Sequence, residues 1–348
     1  MSRRRAVLNL TDARPAWRIP RDAIDAITCA FPAGWEVVAV HSPVDGRGDG
    51  GGVSEEALAA VAGAEVCISF GMPRELFLAA SLDPRSELRW VHTATAGVTA
   101  LLYPEMLASP VILTNSAGVH APAIAETVIA MVLYFARGVD VSVHAQRSRE
   151  WRAGRFEHEI GLAREVAGAT IGIIGLGGIG LEVAARARAL GMRVIAVRGT
   201  QTATPDGIQV LTGDGALAEL LGHSDYVAIC APSTPETRGM IDTRAIDALK
   251  RDAVLINVSR GDIIDDEHTL AEALADGRLR GAALDVFHVE PLPASSPLWD
   301  LPNVLVTPHV SGVSQRFWDR ETELIIDNTK RYLNGEPLEN VVDKRRGY

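Results

Sequence analysis

Six residues, Gly175-Leu176-Gly177-Gly178-Ile179-Gly180, form a G-x-G-x-x-G sequence between an apolar run at 170–174 and an alanine-rich stretch at 182–190. A second apolar run follows at 193–197. Alone the hexapeptide says little. Inside a strand–helix–strand unit it predicts a dinucleotide cradle. Gly175 permits the tight turn, Gly177 lets the backbone approach a pyrophosphate, and Gly180 lets helix and strand pack closely. Gly178 and Ile179 open the helix, whose N-terminus offers free N–H groups and the positive end of its dipole. A plain glycine turn is the competing explanation, and the flanking pattern argues against it.

Two other residues stand just beyond apolar runs, where parallel α/β sheets place their ligands. Arg260 follows the run at 254–257, within Asn257-Val258-Ser259-Arg260-Gly261. Its guanidinium is always charged, and its planar fork pairs bidentately with a carboxylate. His309 follows the run at 304–307, within Thr307-Pro308-His309-Val310-Ser311-Gly312. Histidine is the natural proton donor and acceptor near neutral pH. A loop arginine is ordinarily a surface charge, and a lone histidine is ordinarily structural; their settings turn both toward function. His92 and His120 are read as structural.

The end of the 193–197 run is where a carboxylate would hold a ribose 2′-hydroxyl. The chain has Arg198-Gly199-Thr200 there instead. An arginine can pair with a 2′-phosphate through two N–H groups. NADP(H) is therefore favoured and NAD(H) left open, with Arg198 stacked on adenine as the alternative.

The elements needed to position these residues follow from the alternation of short apolar runs with helical spacing. Strands are predicted at 6–10, 35–40, 65–70, 88–93 and 111–115, with helices at 54–62 and 74–80 between them, and the glycine-rich 45–52 is predicted as a surface loop. A second series has strands at 170–174, 193–197, 226–230, 254–257, 282–286 and 304–307, with helices at 178–190, 216–221, 243–249 and 266–276. Strand–helix alternation means parallel strands with crossover helices, so the second series is a doubly wound sheet of about six strands. The stretch 121–137 is apolar nearly all round and predicts a helix buried on several sides. The charged stretch 139–164 reads as a helix and an arm lying over a surface, anchored by Trp151 and Phe156. One more helix is expected at 315–333.

The chain has 348 residues, 47% hydrophobic and 22% charged, which suits two soluble globular domains. Its net charge of −10 argues against nucleic acid as a partner. Arg3-Arg4-Arg5 is read as a solvated tail. The three cysteines, Cys29, Cys67 and Cys230, are far apart and include no C-x-x-C pair. That argues against a disulfide framework or a metal site and fits the reducing cytoplasm. No secretory signal pattern is seen at the N-terminus. The longest apolar segment, 121–136, is too short and too polar to cross a membrane.

In this order and spacing, the glycine loop, 257–261, Leu284-Asp285-Val286-Phe287 with Glu290-Pro291, 307–312 and Asn340-Val341-Val342-Asp343 resemble the D-isomer-specific 2-hydroxyacid dehydrogenases, in particular the glyoxylate/hydroxypyruvate reductases. Asn115, Ala125-Glu126 and Thr95-Ala96-Gly97 match as well. The resemblance is specific from about 115 to 343 and looser before. It implies a hydride transfer between a nicotinamide cofactor and a small 2-oxo or 2-hydroxy acid. It implies a Rossmann cofactor domain at 120–309 inserted in a flavodoxin-like substrate domain formed by 1–119 and 310–348, and a homodimer. Arg260 would hold the substrate carboxylate and polarise its carbonyl. His309 would move the proton, and Glu290 would orient the ring and favour its protonated form. Asp285 would stand near the nicotinamide; a loop cap is the plainer role for it. Pro232, Thr237, Val258, Ser259 and Gly312 would line the cofactor, which Arg260 and His309 would also touch. The turn Thr95-Ala96-Gly97 would offer N–H groups to the substrate. Residues around Met72, Phe317 and Trp318 would shape the pocket.

Rival readings are a non-catalytic dinucleotide sensor like the corepressors built on this fold, and a phosphite dehydrogenase-like enzyme. Turnover separates the first, and a substrate panel the second. Glu290 replaces the glutamine of formate dehydrogenases, which argues against formate. A short-chain oxidoreductase would need a Tyr-x-x-x-Lys pair, and Tyr226, Tyr332 and Tyr348 lack the lysine.

Overall fold

Runs of Val, Ile and Ala that are buried on both faces make parallel strands, because crossover helices cover both sides of such a sheet. The computed structural model describes residues 4–12, 14–41, 53–82, 87–199 and 205–347. Its strands are β1 (Arg4–Asn9), β2 (Trp35–Ala39), β3 (Val66–Ser69), β4 (Trp90–Thr93), β5 (Ile112–Asn115), β6 (Thr170–Ile174), β7 (Arg193–Val197), β8 (Ile208–Leu211), β9 (Tyr226–Ile229), β10 (Val254–Asn257), β11 (Gly281–Leu284) and β12 (Val304–Val306). The chain divides into two compact units, one of Met1–His120 with Val313–Tyr348 and one of Ala121–Gly312.

In the first unit the strand order is β2-β1-β3-β4-β5, all parallel, the flavodoxin-like order. The helix Phe317–Asn334 returns to this unit and packs on the helix Arg21–Cys29. That second helix was not expected: Ala23 and Ile27 bury one narrow face, too few apolar positions to announce it in the sequence. Arg4 and Arg5 are not a solvated tail. They lie in β1, paired with Glu65 and Glu36, and Arg4 also sits 4.2 Å over the Trp35 ring. Arg3 and the 45–52 loop lie outside the described residues.

In the second unit the order is β12-β11-β10-β9-β6-β7-β8, again all parallel. The sheet has seven strands among the described residues, not six. The extra one, β8, is a four-residue edge strand whose Ile208-Gln209-Val210-Leu211 is too short to separate from a loop by pattern alone. The helix Ala121–Ala136 packs on the helix Gly178–Ala189 and joins the core formed by Ile171, Ile173 and Val254. The stretch 139–164 contains two short helices, Val139–Arg147 and Ala153–His158. Trp151 does not anchor it, being 96% exposed, whereas Phe156 is half-buried.

Candidate active site

The cofactor loop leaves β6, whose five residues are all buried. At Gly175 φ is +94°, and a Cβ would stand 2.6 Å from the main chain of Ala231. Only glycine fits there. A Cβ on Gly180 would run into the Gly175 carbonyl oxygen, so this glycine lets the helix Gly178–Ala189 close on the strand. A Cβ on Gly177 would project into open space, which leaves its main chain approachable. Gly177 caps the helix without a side-chain hydrogen bond, so the first-turn N–H groups of Gly178, Ile179 and Gly180 are not taken by a cap. This cradle fits a pyrophosphate. It sits after β6, beside β9, where the strand order reverses. Arg198 is half-buried just past the end of β7.

Across the sheet, Asn257, Leu284 and Val306 end β10, β11 and β12 in register. The loops that follow carry Arg260, Asp285 with Glu290, and His309, so pairing alone makes them neighbours. The buried Asn257 side chain shapes the first loop. It donates to the Arg260 carbonyl at 2.9 Å and accepts from the Ser259 N–H at 3.1 Å. Ser259 donates its hydroxyl to the Ala231 carbonyl, tying this loop to the one after β9. Gly261 follows because a Cβ would collide with the main chain of Phe287 and His288. The close approach brings Arg260 against the loop that holds Glu290. The Arg260 guanidinium is exposed, donates to the Ser259 carbonyl at 2.7 Å, and has no ion-pair partner among the described residues.

His309 Nδ1 lies 2.7 Å from Glu290 Oε2, and Glu290 Oε1 accepts the Phe287 N–H at 3.1 Å. The pair is partly open, with 41% of the histidine and 34% of the glutamate side chain exposed. With Nδ1–H given to the carboxylate, Nε2 is the atom left for a reacting oxygen. His309 has a φ of +54°, uncommon for a residue with a Cβ and costing about 1–2 kcal/mol. Asp285 offsets this cost. It is fully buried and accepts from Thr307 Oγ1 at 2.5 Å, the Val310 N–H at 3.0 Å and the Ser311 N–H at 3.0 Å. These contacts are those of the loop cap weighed for Asp285 from the sequence; the part of Thr307 in it was not singled out. A hydroxyl two residues before a candidate histidine was the available signal.

The other expected cofactor contacts divide. Pro232 is exposed at the mouth of the loop after β9. Thr237 donates its hydroxyl to the Pro232 carbonyl at 2.6 Å and accepts the Thr234 N–H at 2.8 Å, so it closes its own loop. The Val258 side chain is buried in the core, leaving only its main chain to line a site. Gly312 is half-buried after the histidine loop. The neighbouring thiol of Cys230 is pushed by burial up to about 12, which makes it inert.

In the first unit, considered alone, the turn Thr95-Ala96-Gly97 follows β4. Its carbonyls are taken by the Ser116 N–H, Asn115 Nδ2 and Thr95 Oγ1. Among the described residues no acceptor takes the N–H of Ala96 or Gly97, so the turn presents its donor side. Met72, Phe317 and Trp318, around which the pocket was expected, are buried in the core of this unit. They are 1%, 1% and 7% exposed, and Phe317 packs among Trp17, Phe70 and His120. His92 is wholly buried between Thr114 and Glu321.

A phosphate cradle at the switch point of a parallel sheet, with an arginine and a carboxylate-bound histidine beyond adjacent strands, defines a dinucleotide-dependent oxidoreductase. Residues 129–311 match the family model of the D-isomer specific 2-hydroxyacid dehydrogenase, NAD binding domain. A glyoxylate reductase of Korarchaeum cryptofilum is 32% identical over 261 residues, which are 74% of this chain and 77% of the relative. A D-3-phosphoglycerate dehydrogenase of Methanocaldococcus jannaschii is 32% identical over 75% of this chain, which spans 49% of that longer protein. The solved structure of a D-isomer specific 2-hydroxyacid dehydrogenase from Xanthobacter autotrophicus Py2, in complex with NADPH and MES, superposes with a TM-score of 0.79 at 31% identity and covers 100% of both chains. The chain belongs to the D-isomer specific 2-hydroxyacid dehydrogenase family. It is an NAD(P)-dependent oxidoreductase of 2-hydroxy acids.

Proposed function

We propose that this chain reduces small 2-oxo acids to D-2-hydroxy acids, with glyoxylate and hydroxypyruvate as the first candidates and NADP(H) as the preferred cofactor. The observation that carries the reading is the His309–Glu290 pair at 2.7 Å, with Arg260 on the loop whose Gly261 packs against Phe287 and His288 and with no carboxylate on its guanidinium among the described residues. The glycine loop, Gly175 to Gly180, would hold the pyrophosphate, and the bound nicotinamide supplies the hydride. Arg260 binds the substrate carboxylate and draws charge from its carbonyl. His309 gives the proton on Nε2 to the forming alkoxide. Glu290 keeps the ring in the tautomer and orientation that task needs. Asp285, at the end of β11, braces the histidine loop and would stand near the nicotinamide, and the donor side of Thr95-Ala96-Gly97 suits a small anion.

The NADP(H) preference is supported by Arg198 past β7 and by the NADPH bound in the Xanthobacter relative. A homodimer is supported by Trp151 and Ile160, both fully exposed apolar residues on the 139–164 arm. The cytoplasm is supported by three cysteines without disulfides. Among the described residues no helix is long and apolar enough to cross a membrane.

The test is loss of the reduced-nicotinamide absorbance, with NADPH and NADH in parallel, against glyoxylate, hydroxypyruvate, pyruvate and branched or aromatic 2-oxo acids. Turnover with one of them and a higher rate with NADPH supports the reading. Cofactor binding without turnover across the panel sinks it.

A further inference from the structure

We infer that His288 is a positioning residue for Glu290: it clasps the loop that carries this carboxylate onto the loop that follows Arg260. The inference rests on the reading of Glu290 as the group that orients His309.

Glu290 stands on a loop, residues 287–291, beyond the end of β11. Among the described residues no hydrogen bond between main-chain groups reaches this segment. The Phe287 N–H turns inward to Glu290 Oε1 at 3.1 Å, which ties the carboxylate to its own loop but not the loop to the fold. Phe287 is buried in the core, whereas Val289 is exposed. The remaining hold falls to His288. Its N–H donates to Glu267 Oε1 at 2.7 Å, and its ring Nε2 lies 2.5 Å from the Ile264 carbonyl oxygen. A carbonyl only accepts, so Nε2 carries a proton whether the imidazole is neutral or charged, and the clasp survives in both states.

Both anchors are rigid. Ile264 is 1% exposed, gives its N–H to the Gly261 carbonyl at 3.0 Å and forms a bridge with Ile241. Glu267 opens the helix Glu267–Ala275, whose cap Asp266 accepts from the His268 and Thr269 N–H groups. Gly261, directly after Arg260, lets its main chain meet that of Phe287 and His288. His288 thus closes the contact that brings the loops of Arg260 and Glu290 together. If the clasp opens, the anchored side stays and the Glu290 side moves, because that side has few other bonds. Arg260 then keeps its place, while the carboxylate drifts from His309 Nδ1.

His288→Ala keeps the main-chain bond to Glu267 and loses that of the ring. In His288→Gln the carboxamide NH₂ can donate to the Ile264 carbonyl in place of Nε2.

The experiment compares wild type, His288→Ala, His288→Gln, Glu290→Ala and the double variant His288→Ala/Glu290→Ala. It reads kcat and KM with the best 2-oxo acid of the panel, the NADPH dissociation constant by fluorescence, and the melting temperature. The expected result for His288→Ala is a kcat about 5- to 50-fold lower, within the roughly 100-fold that a 1 Å misplacement can cost. KM and the NADPH dissociation constant should stay within about twofold, and His288→Gln should recover most of the loss. In the Glu290→Ala background His288→Ala should cost less than about twofold, because two residues acting through one group are not additive. An equal loss in both backgrounds, a glutamine no better than alanine, or wild-type kcat in His288→Ala overturns the proposal and leaves the role of Glu290 intact. So does a KM or an NADPH dissociation constant that rises as much as kcat falls. Wild-type turnover in Glu290→Ala instead overturns the reading of Glu290, and the proposal with it. If His288→Ala does not fold, a pair at the other anchor decides. Glu267→Ala should lower kcat several-fold with Glu267→Gln near wild type, whereas wild-type kcat in Glu267→Ala overturns the clasp.

Discussion

Glu290→Gln isolates the charge of the carboxylate from its shape. The glutamine oxygen can still accept from His309 Nδ1–H, so the ring keeps its orientation, but the imidazolium loses its counter-charge. Attraction between unit charges 2.7 Å apart runs from about 1.5 kcal/mol at the dielectric of water to about 6 kcal/mol at the effective dielectric met near protein surfaces. Both side chains are more than a third exposed, at 41% and 34%, so the lower part of that range applies. It agrees with the net value of about 1.5–3 kcal/mol for a hydrogen bond to a charged group. If the charge is felt mainly when the histidine is protonated during catalysis, each 1.36 kcal/mol is worth roughly tenfold in rate. The expected loss in kcat is then about 10- to 150-fold on those constants, with cofactor affinity unchanged. Glu290→Ala should lose more, because it removes the orienting acceptor as well. Steady-state kinetics with NADPH and the best 2-oxo acid measure both variants, and fluorescence titration checks the cofactor. A Glu290→Gln enzyme within about twofold of wild type would show that the pair does no work in the transition state, and the assignment of Glu290 would fall.

Arg198→Asp should lower the NADPH/NADH ratio of kcat/KM, and an unchanged ratio removes Arg198 from cofactor choice. Gly175→Ala places a Cβ 2.6 Å from the Ala231 main chain at a φ of +94°, so it should destabilise the second unit by about 2–5 kcal/mol and weaken cofactor binding; a wild-type melting temperature would refute the packing argument. Glu65 sits below its ordinary pKa of 4.5, because burial, which alone would raise it, is outweighed by hydrogen bonds from Arg4 and Tyr332. Its folded-state pKa is depressed, so its stabilisation is present above pH 4.5 and is lost as pH falls through the lower folded value. Glu65→Gln should therefore cost about 1–3 kcal/mol near neutral pH and flatten the fall of melting temperature with acid, and identical acid profiles for the two proteins would contradict this. Trp151→Glu should shift sedimentation toward the monomer, and an unaltered oligomer would place the subunit contact elsewhere.

Much of this molecule is written locally. The glycine loop shows in the sequence because its strand, turn and helix are contiguous, and because a forced φ at Gly175 and a close approach at Gly180 admit only glycine. Arg260 and His309 show because each follows an apolar run directly, and a parallel sheet brings the carboxyl ends of its strands together. Short edge strand β8 and the narrow-faced helix Arg21–Cys29 did not show, since each has too few buried positions to make a period. Only the tertiary structure decided the partners. Asp285 meets Thr307 and Ser311 across 22 and 26 residues because β11 pairs with β12 in one register. The same register sets the 2.7 Å contact of Glu290 with His309. Met72, Phe317 and Trp318 went to the core, and Trp151 to the surface, although all four are large and apolar. Composition fixes which side chains favour burial, but long-range packing chooses which of them find room inside.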